Sequence, residues 1–203
     1  MTISILLCDS LYLHNNIKPI NYDLIIILGK YNIAKNTNSF ICIESTINTV
    51  NCFKNQIQNE QISILHNLEF IYHKYLLPIN KKYKLPIIYI KYNTYHIFVT
   101  SFVRMNILDN KLFKNQMNLL YNTIENHKIQ FGENIFITGY FGCNFREHAS
   151  ELSTICQKLS CNIPNIKVTN SDIIDKFIII KKSSSIANKQ FIQYKNNACI
   201  YNK

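Results

Sequence analysis

Two stretches of the sequence place a polar, chemically capable side chain at the end of a β-branched, apolar run. Ser45 follows Phe40–Ile43, and Arg104, one of only two arginines, follows Ile97–Phe102. Such runs predict buried strands, and in an α/β sheet the residues that follow the strands collect at one edge. Ser45 could therefore lie beside the guanidinium of Arg104. The simpler interpretation is that Ser45 caps a helix and that Arg104 pairs with a carboxylate.

Residues that bind metal ions or cradle phosphates show no recognisable spacing. Cys156 and Cys161 lie five residues apart with His148 upstream, but the sequence has no C-x-x-C pair and no H-E-x-x-H pattern. A phosphate-binding loop is excluded because only Gly139 and Gly142, of four glycines, lie close together. We therefore expect no metal site and no cofactor.

The chain is strongly basic. In its 203 residues, 22 lysines and arginines outnumber 12 acidic residues, which gives a net charge of +10. This charge suits a polyanion such as nucleic acid or an acidic membrane surface. The basic C-terminal tail makes Lys181, Lys182 and Lys189 candidate nucleic-acid contacts. Abundant Ile, Asn, Lys and Tyr are also what an AT-rich genome imposes on any protein, so both explanations of the charge stay open.

Cysteine use and the N-terminus bear on the cellular compartment. Seven cysteines without regular spacing favour reduced thiols. The apolar run at the N-terminus ends at Asp9 and is too short for a signal peptide or a membrane span. These observations predict an intracellular protein, in the nucleus or the cytoplasm, with no membrane association.

The spacing of apolar residues predicts alternating strands and helices. A long helix is predicted by the shared face of Phe53, Ile57, Ile64, Leu68, Ile71 and Tyr75. A second helix, capped by Asp109 or Asn110, is predicted by the stripe of Phe113, Met117, Leu120 and Ile124, and a shorter one spans Arg146–Leu159. Strands are predicted at Ile3–Cys8, Leu24–Leu28, Phe40–Ile43, Leu85–Tyr89, Ile97–Phe102, Asn134–Thr138 and Ile173–Ile180.

From Phe40 to Thr138 the predicted order is strand, helix, strand, strand, helix, strand. This order is typical of an α/β fold, here a three-layer architecture with a mostly parallel central sheet and helices on both faces. The short connection between the first two strands favours an antiparallel pair, an N-terminal β-hairpin added to the sheet. We predict a strand pair in residues 1–38, the α/β domain in 39–160, and a strand with a basic tail in 161–203.

The motifs around Ser45 and Arg104 resemble those of the serine recombinases, the resolvase and invertase family. Ile41–Thr46, ICIEST, is similar to the strand that ends in the family's nucleophilic serine, and Gln56 lies near the family glutamine. The stretch VTSFVRMNI is similar to a second family motif and places Arg104 on its central arginine. The resemblance implies a resolvase catalytic-domain-like fold, a homodimer, and Ser45, Arg104 and Gln56 as vestigial catalytic residues.

Charged residues of the family motifs are replaced in this sequence. Ile43 and Ile107 stand where the family has arginines, and Val103 stands where it has an aspartate. Serine attack on a phosphodiester builds charge that fixed cations must stabilise, so the resemblance implies a catalytically inactive pseudoenzyme. Such a chain is similar to the inactive serine-recombinase-like proteins of vertebrate poxviruses. That likeness implies a viral protein that binds nucleic acid or a host protein in the infected cell.

Two other stretches resemble the endonuclease/exonuclease/phosphatase fold. Asn134–Asn144, NIFITGYFGCN, resembles a strand that ends in glycine-aspartate-phenylalanine-asparagine, and Ser171–Ile180 resembles a later isoleucine-aspartate strand. Tyr140 replaces the metal-assisting aspartate, and no glutamate closes the strand near Leu28. Because those carboxylates would hold a divalent ion, this resemblance implies a degenerate member of the fold. A host-factor interaction module with no enzyme ancestry is the third hypothesis.

Overall fold

The computed structural model of the chain describes residues 4–9, 23–28, 41–51, 56–66, 69–81, 83–103, 110–130, 133–141, 149–159, 161–162, 166–167, 180–182, 191–195 and 198–202. Contacts within the chain divide it into two compact units. The first unit comprises Met1–Glu69, Asn165–Ile173 and Lys189–Lys203, and the second comprises Phe70–Pro164 and Ile174–Asn188. The three predicted segments, 1–38, 39–160 and 161–203, stay a prediction.

Strands predominate in the described part of the chain. In chain order the elements are β1 (Ser4–Asp9), β2 (Leu24–Leu28), β3 (Ile41–Asn51), β4 (Gln56–His66), β5 (Ile71–Pro78), β6 (Lys84–Tyr92), β7 (Tyr95–Ser101), α1 (Asn110–Asn126), β8 (Asn134–Tyr140), α2 (Ala149–Lys158), β9 (Cys161–Asn162), β10 (Ile166–Lys167), β11 (Ile180–Lys182), β12 (Phe191–Lys195) and β13 (Ala198–Asn202). Most of the predicted strands are therefore found. Of the predicted strand Ile173–Ile180, only its last residue lies within the described residues, as the first residue of β11.

The first unit holds a seven-stranded sheet in the order β10-β12-β13-β1-β2-β4-β3. Strands β1 and β2 are parallel, with Ile5 opposite Leu24, so the predicted N-terminal hairpin is wrong. The carboxylate of Asp23 shows why the two strands begin side by side. It accepts hydrogen bonds of 2.8 Å from both the backbone N–H and the hydroxyl of Ser4. The antiparallel partners are supplied instead by β13 and β4.

The long helix predicted from Phe53 to Tyr75 is also wrong. Strands β4 and β5 occupy most of that stretch, and β4 pairs antiparallel with both β3 and β2. Ile62, Ile64 and His66 are buried two residues apart along β4, and residues two apart lie on the same face of a strand. Ile57 and Ile64 are seven residues apart, a spacing that fits one face of a helix but opposite faces of a strand, so the local pattern predicts a helix and pairing with the neighbouring strands decides the outcome.

The second unit holds a six-stranded sheet in the order β5-β6-β7-β8-β11-β9. The pairs β5–β6 and β6–β7 are antiparallel hairpins, whereas β7 and β8 are parallel, with Tyr95 opposite Asn134 and Ser101 opposite Tyr140. Among the described strand pairs of both sheets, three are parallel and eight are antiparallel. The predicted mostly parallel, three-layer sheet is therefore wrong.

Helix α1 confirms the helix that was predicted to begin at Asp109 or Asn110. Its predicted apolar stripe, Phe113, Met117, Leu120 and Ile124, is buried against the sheet residues Leu85, Ile87, Tyr89, Phe98, Ile135 and Ile137. Helix α2 is shorter than its prediction and contributes Cys156 to the same core. In the part of the chain that the structure describes, no helix is long and apolar enough to cross a membrane.

We predict that Gly139→Ala strongly destabilises the second unit. Gly139 has φ +135°, and an added Cβ would lie 1.8 Å from the backbone oxygen of Thr100 on the paired strand. Because backbone cannot yield as a flexible side chain does, we expect a loss of about 3 kcal/mol in the free energy of unfolding, measured by urea denaturation. Thr138→Val is the matched control. Its buried hydroxyl lacks a hydrogen-bond partner, so the change should be neutral or stabilising, and an equal loss in both variants would contradict the explanation.

Candidate functional site

The residues predicted to form a catalytic group lie in a different context from the one expected. Ser45 lies inside β3, opposite Ile62, and Gln56 is the first residue of β4, opposite Asn51. Both belong to one antiparallel pair, so neither the strand end before a helix nor the glutamine-bearing helix is found. Arg104 lies outside the described residues. The structure therefore does not test whether these three residues come together, and their catalytic role stays a prediction.

The predicted nucleic-acid contacts of the C-terminal tail are only partly described. Lys181 lies in β11 opposite Phe136 on one side and Asn162 on the other, and Lys182 lies opposite Cys161. Lys189 lies outside the described residues. Lys181 and Lys182 thus belong to the second unit's sheet rather than to a separate tail, and their contact with nucleic acid stays a prediction.

The edge where β7 and β8 end is held rigidly by backbone and side-chain hydrogen bonds. The N–H of Phe102 donates to the backbone oxygen of Tyr140 at 2.7 Å, and the N–H of Val103 donates to Oε1 of Gln116 at 2.8 Å. Gln116 is buried on α1, so it fixes the chain just before Arg104 to that helix. The rings of Phe102, Phe113 and Phe141 fill the space beneath.

The strand-end residues do not fit a divalent metal ion. Tyr140 ends β8 at the position where the second resemblance expects an aspartate, and its neighbours are Gly139 and Phe141. Among the residues that the structure describes, no group of three or more His, Cys, Asp or Glu side chains could hold a metal. Divalent ions of this kind need carboxylate oxygens, so no metal-assisted role is assigned to the described residues at these strand ends.

Titratable and aromatic side chains do come together elsewhere in the second unit. The hydroxyl of Tyr89 lies 2.9 Å from Nδ1 of His96, and both residues are buried. On its other side, Nε2 of His96 lies 3.1 Å from Oε2 of Glu133. This contact favours an ionised Glu133 and a protonated His96. The result is a Tyr–His–Glu chain running from the core to the surface.

A second Tyr–His pair lies against this chain. His127, just after α1, has Nε2 3.1 Å from the hydroxyl of Tyr75, and its ring lies 3.7 Å from the ring of Tyr89, centroid to centroid. His73 stacks nearly parallel to Tyr89 at 6.1 Å. The contributing residues come from β5, β6, β7 and the segments after α1, so the cluster exists only when the sheet and helix have assembled.

Burial dominates the electrostatics of this cluster. It lowers the pKa of His96 below the ordinary 6.5, although Glu133 opposes the effect, and it lowers the pKa of His127, with His73 and His96 adding to the shift. Burial, with the charge of Glu133, raises the pKa of Tyr89 to about 12. Partial burial acts to raise the pKa of Glu133, but the N–H of Gln130 with His96 and Lys91 holds it below its usual value.

The sequence alone gives no signal for this cluster. Its histidines, His73, His96 and His127, are far apart in the chain and follow no recognised motif. Only the register of the strands, with His73 opposite Tyr89 and Tyr89 opposite Phe98, reveals that they are neighbours. Because these histidines follow no metal-binding or catalytic spacing, the sequence analysis does not find the cluster.

Solved structures share the fold along nearly the entire chain. The human Nocturnin catalytic domain with bound sulfate matches 99% of this chain and 92% of its own at 9% identity, with a TM-score of 0.67. D. rerio TDP2 complexed with a single strand DNA product matches 100% and 99% at 10% identity, with a TM-score of 0.59. An endonuclease/exonuclease/phosphatase family protein from Leptotrichia buccalis matches 99% and 98% at 10% identity, with a TM-score of 0.57. No family model and no curated protein matches the sequence.

The chain therefore has the endonuclease/exonuclease/phosphatase fold. The resemblance to serine recombinases and to their poxvirus relatives is wrong, and with it the resolvase-like fold. The prediction of a pseudoenzyme of the serine recombinase family is wrong as well, since the structures that share the fold are enzymes of a different family. The second resemblance, built on the strand around Gly139 and Tyr140, is confirmed at the level of the fold.

We predict that the stability of the folded chain decreases as the pH falls below about 6.5. His96 and His127 have folded-state pKa values below that of the unfolded chain, so the unfolded chain binds protons that the folded chain does not. Stability is therefore complete above the unfolded pKa and is lost as the pH falls toward the folded values, by at most about 1.4 kcal/mol per pH unit for each proton.

The measurement is the free energy of urea unfolding between about pH 7.5 and pH 5, above the range in which Glu133 titrates. His127→Phe keeps the ring against Tyr89 but removes the imidazole, so it should flatten this dependence. The difference between the free energies of unfolding of His127→Phe and the wild type at pH 7.5 measures separately the loss of the contact between His127 and Tyr75. A pH dependence equally steep in the wild-type chain and in His127→Phe would show that His127 does not contribute.

Proposed function

We propose that the chain is a nucleic-acid-binding protein built on the endonuclease/exonuclease/phosphatase fold, with single-stranded nucleic acid as its ligand. The observation that carries the proposal is the likeness of the fold, over the full chain, to D. rerio TDP2 in complex with a single strand DNA product. The net charge of +10 supports it, because a phosphate backbone attracts such a chain without regard to sequence.

The positive charge of the chain favours nucleic acid more strongly once the fold is known. Codon bias can enrich lysine, but it does not explain why the chain has a fold in which other proteins bind anionic ligands. One of those structures holds a DNA product and another holds a sulfate ion, and both ligands present negatively charged oxygens. A basic chain on this scaffold therefore suits an anionic polymer better than a neutral or cationic partner. A host protein as partner and a homodimer stay predictions.

Cleavage of a phosphoester is a second candidate function. The observation that favours it is the family name of the matching Leptotrichia buccalis structure, which joins endonuclease, exonuclease and phosphatase. The test is incubation of an end-labelled single-stranded oligonucleotide with the protein and Mg²⁺, with EDTA as the control. Cleavage that EDTA abolishes would support this second function and would require metal ligands beyond the described residues. An intact oligonucleotide would leave binding alone as the function.

We predict that the purified protein binds a fluorescent single-stranded DNA oligonucleotide, with an affinity that falls steeply with salt. For single strands the logarithm of the association constant should fall with the logarithm of salt concentration by about 0.7 for each phosphate contacted. Fluorescence anisotropy at several salt concentrations gives this slope. Absence of binding at low salt, or an affinity that salt does not change, would contradict the proposed function.

A further inference from the structure

Between residues 70 and 108 the chain contains six lysines and arginines and not one aspartate or glutamate. The described residues of this stretch form β5, β6 and β7, with β5 at the edge of the six-stranded sheet. Acidic residues that would neutralise the lysines are therefore absent from these strands themselves. In the described part of the chain, Lys91 of β6 lies 3.9 Å from Glu133, which is outside these strands.

Three described lysines of the β5–β6 hairpin, Lys74, Lys81 and Lys84, are exposed. Lys74 lies in the middle of β5, while Lys81 and Lys84 lie at the tip of the hairpin. The tip is held by the N–H of Ile79, which donates to the backbone oxygen of Tyr83 at 2.9 Å. The hairpin therefore holds Lys74 near its centre and Lys81 and Lys84 at its tip.

Strand β5 also exposes large apolar and aromatic side chains next to these lysines. Tyr72 is 46% exposed, Leu76 is 49% exposed, and Lys74 lies between them on the same face. On that face the neighbouring residues of β6, Ile88 and Ile90, are buried and lie opposite Lys74 and Tyr72. An edge strand therefore presents an aromatic ring and a cation at alternate positions, about 7 Å apart along the strand.

We propose that the edge strand β5, through Tyr72 and Lys74, binds single-stranded nucleic acid together with Lys81 and Lys84 at the tip of the β5–β6 hairpin. The proposal rests on the proposed function and assigns it a surface. Aromatic rings on a positively charged strand are the recurring means by which proteins hold single strands, since bases stack on the ring while lysines contact phosphates. The charge of the hairpin decides against a protein partner that would pair its edge through apolar contacts alone.

The charge is tested by replacing three lysines at once and measuring oligonucleotide binding by anisotropy. Lys74→Gln, Lys81→Gln and Lys84→Gln together should weaken binding about tenfold or more at moderate salt and reduce the salt slope by about 2. The matched control replaces Lys111, Lys114 and Lys158, which are exposed on α1 and α2, by Gln. It changes the net charge by the same amount and should retain most of the affinity.

Stacking is tested on the same strand face. Tyr72→Ala should weaken binding about tenfold, whereas Tyr72→Phe, which keeps the ring, should bind as the wild type does. Leu76→Ala, at nearly the same exposure, is the control and should have little effect. Equal losses in Tyr72→Ala and Leu76→Ala would show that general apolar contact, rather than base stacking on the ring, accounts for the affinity and would overturn the proposal.

The outcomes separate this inference from the proposed function. If the wild-type protein binds DNA but the two triple-lysine variants lose affinity equally, the hairpin is not the binding surface, although the proposed function survives. If the wild-type protein binds no DNA at low salt, both fall together. Urea unfolding of every variant confirms that the substitutions, all at exposed side chains, leave the fold intact.

Discussion

The close approach of β8 to β7 is the constraint on which the second unit depends. Gly139 lies against the backbone of Thr100 where only hydrogen fits, and the hydroxyl of Thr100 donates to the oxygen of Pro86 at 2.8 Å. This contact joins β6, β7 and β8 at one level of the sheet. One residue further on, the backbone oxygen of Tyr140 accepts a hydrogen bond from the N–H of Phe102. Gln116 of α1 accepts a hydrogen bond from the N–H of Val103 and so holds α1 against the end of β7.

How much of this fold the sequence predicts depends on how local each determinant is. Helix α1 was predicted because its stripe of apolar residues lies within one element, and strands such as β2 and β8 because their apolar runs are short and bounded. The helix expected between Phe53 and Tyr75 is wrong because pairing of β4 with β2 and β3, which the local spacing does not report, decides that stretch. The predicted antiparallel direction of β1 and β2 is wrong because the contact between Ser4 and Asp23, which aligns the starts of the two strands, joins residues that are distant in the sequence.

The same distinction explains the two family resemblances. VTSFVRMNI matches a recombinase motif because a buried strand followed by an amphipathic helix is common to many α/β and α+β folds. The stretch around Gly139 matches a fold-specific backbone requirement, a glycine whose Cβ would collide with the neighbouring strand. A motif tied to a steric requirement therefore identified the fold better than one tied to side chains, even though Tyr140 departs from it.

The positions of the lysines in the fold distinguish a binding surface from a general excess of positive charge. Lysine enrichment raises positive charge on every surface, including α1, so a net charge by itself cannot distinguish a binding face from codon bias. The β5–β6 hairpin differs because its strands carry no acidic residue and because Tyr72 shares a face with Lys74. An AT-rich genome enriches both Tyr and Lys, but a surface that binds single-stranded nucleic acid combines an exposed ring with a cation on one face, as Tyr72 and Lys74 do on β5.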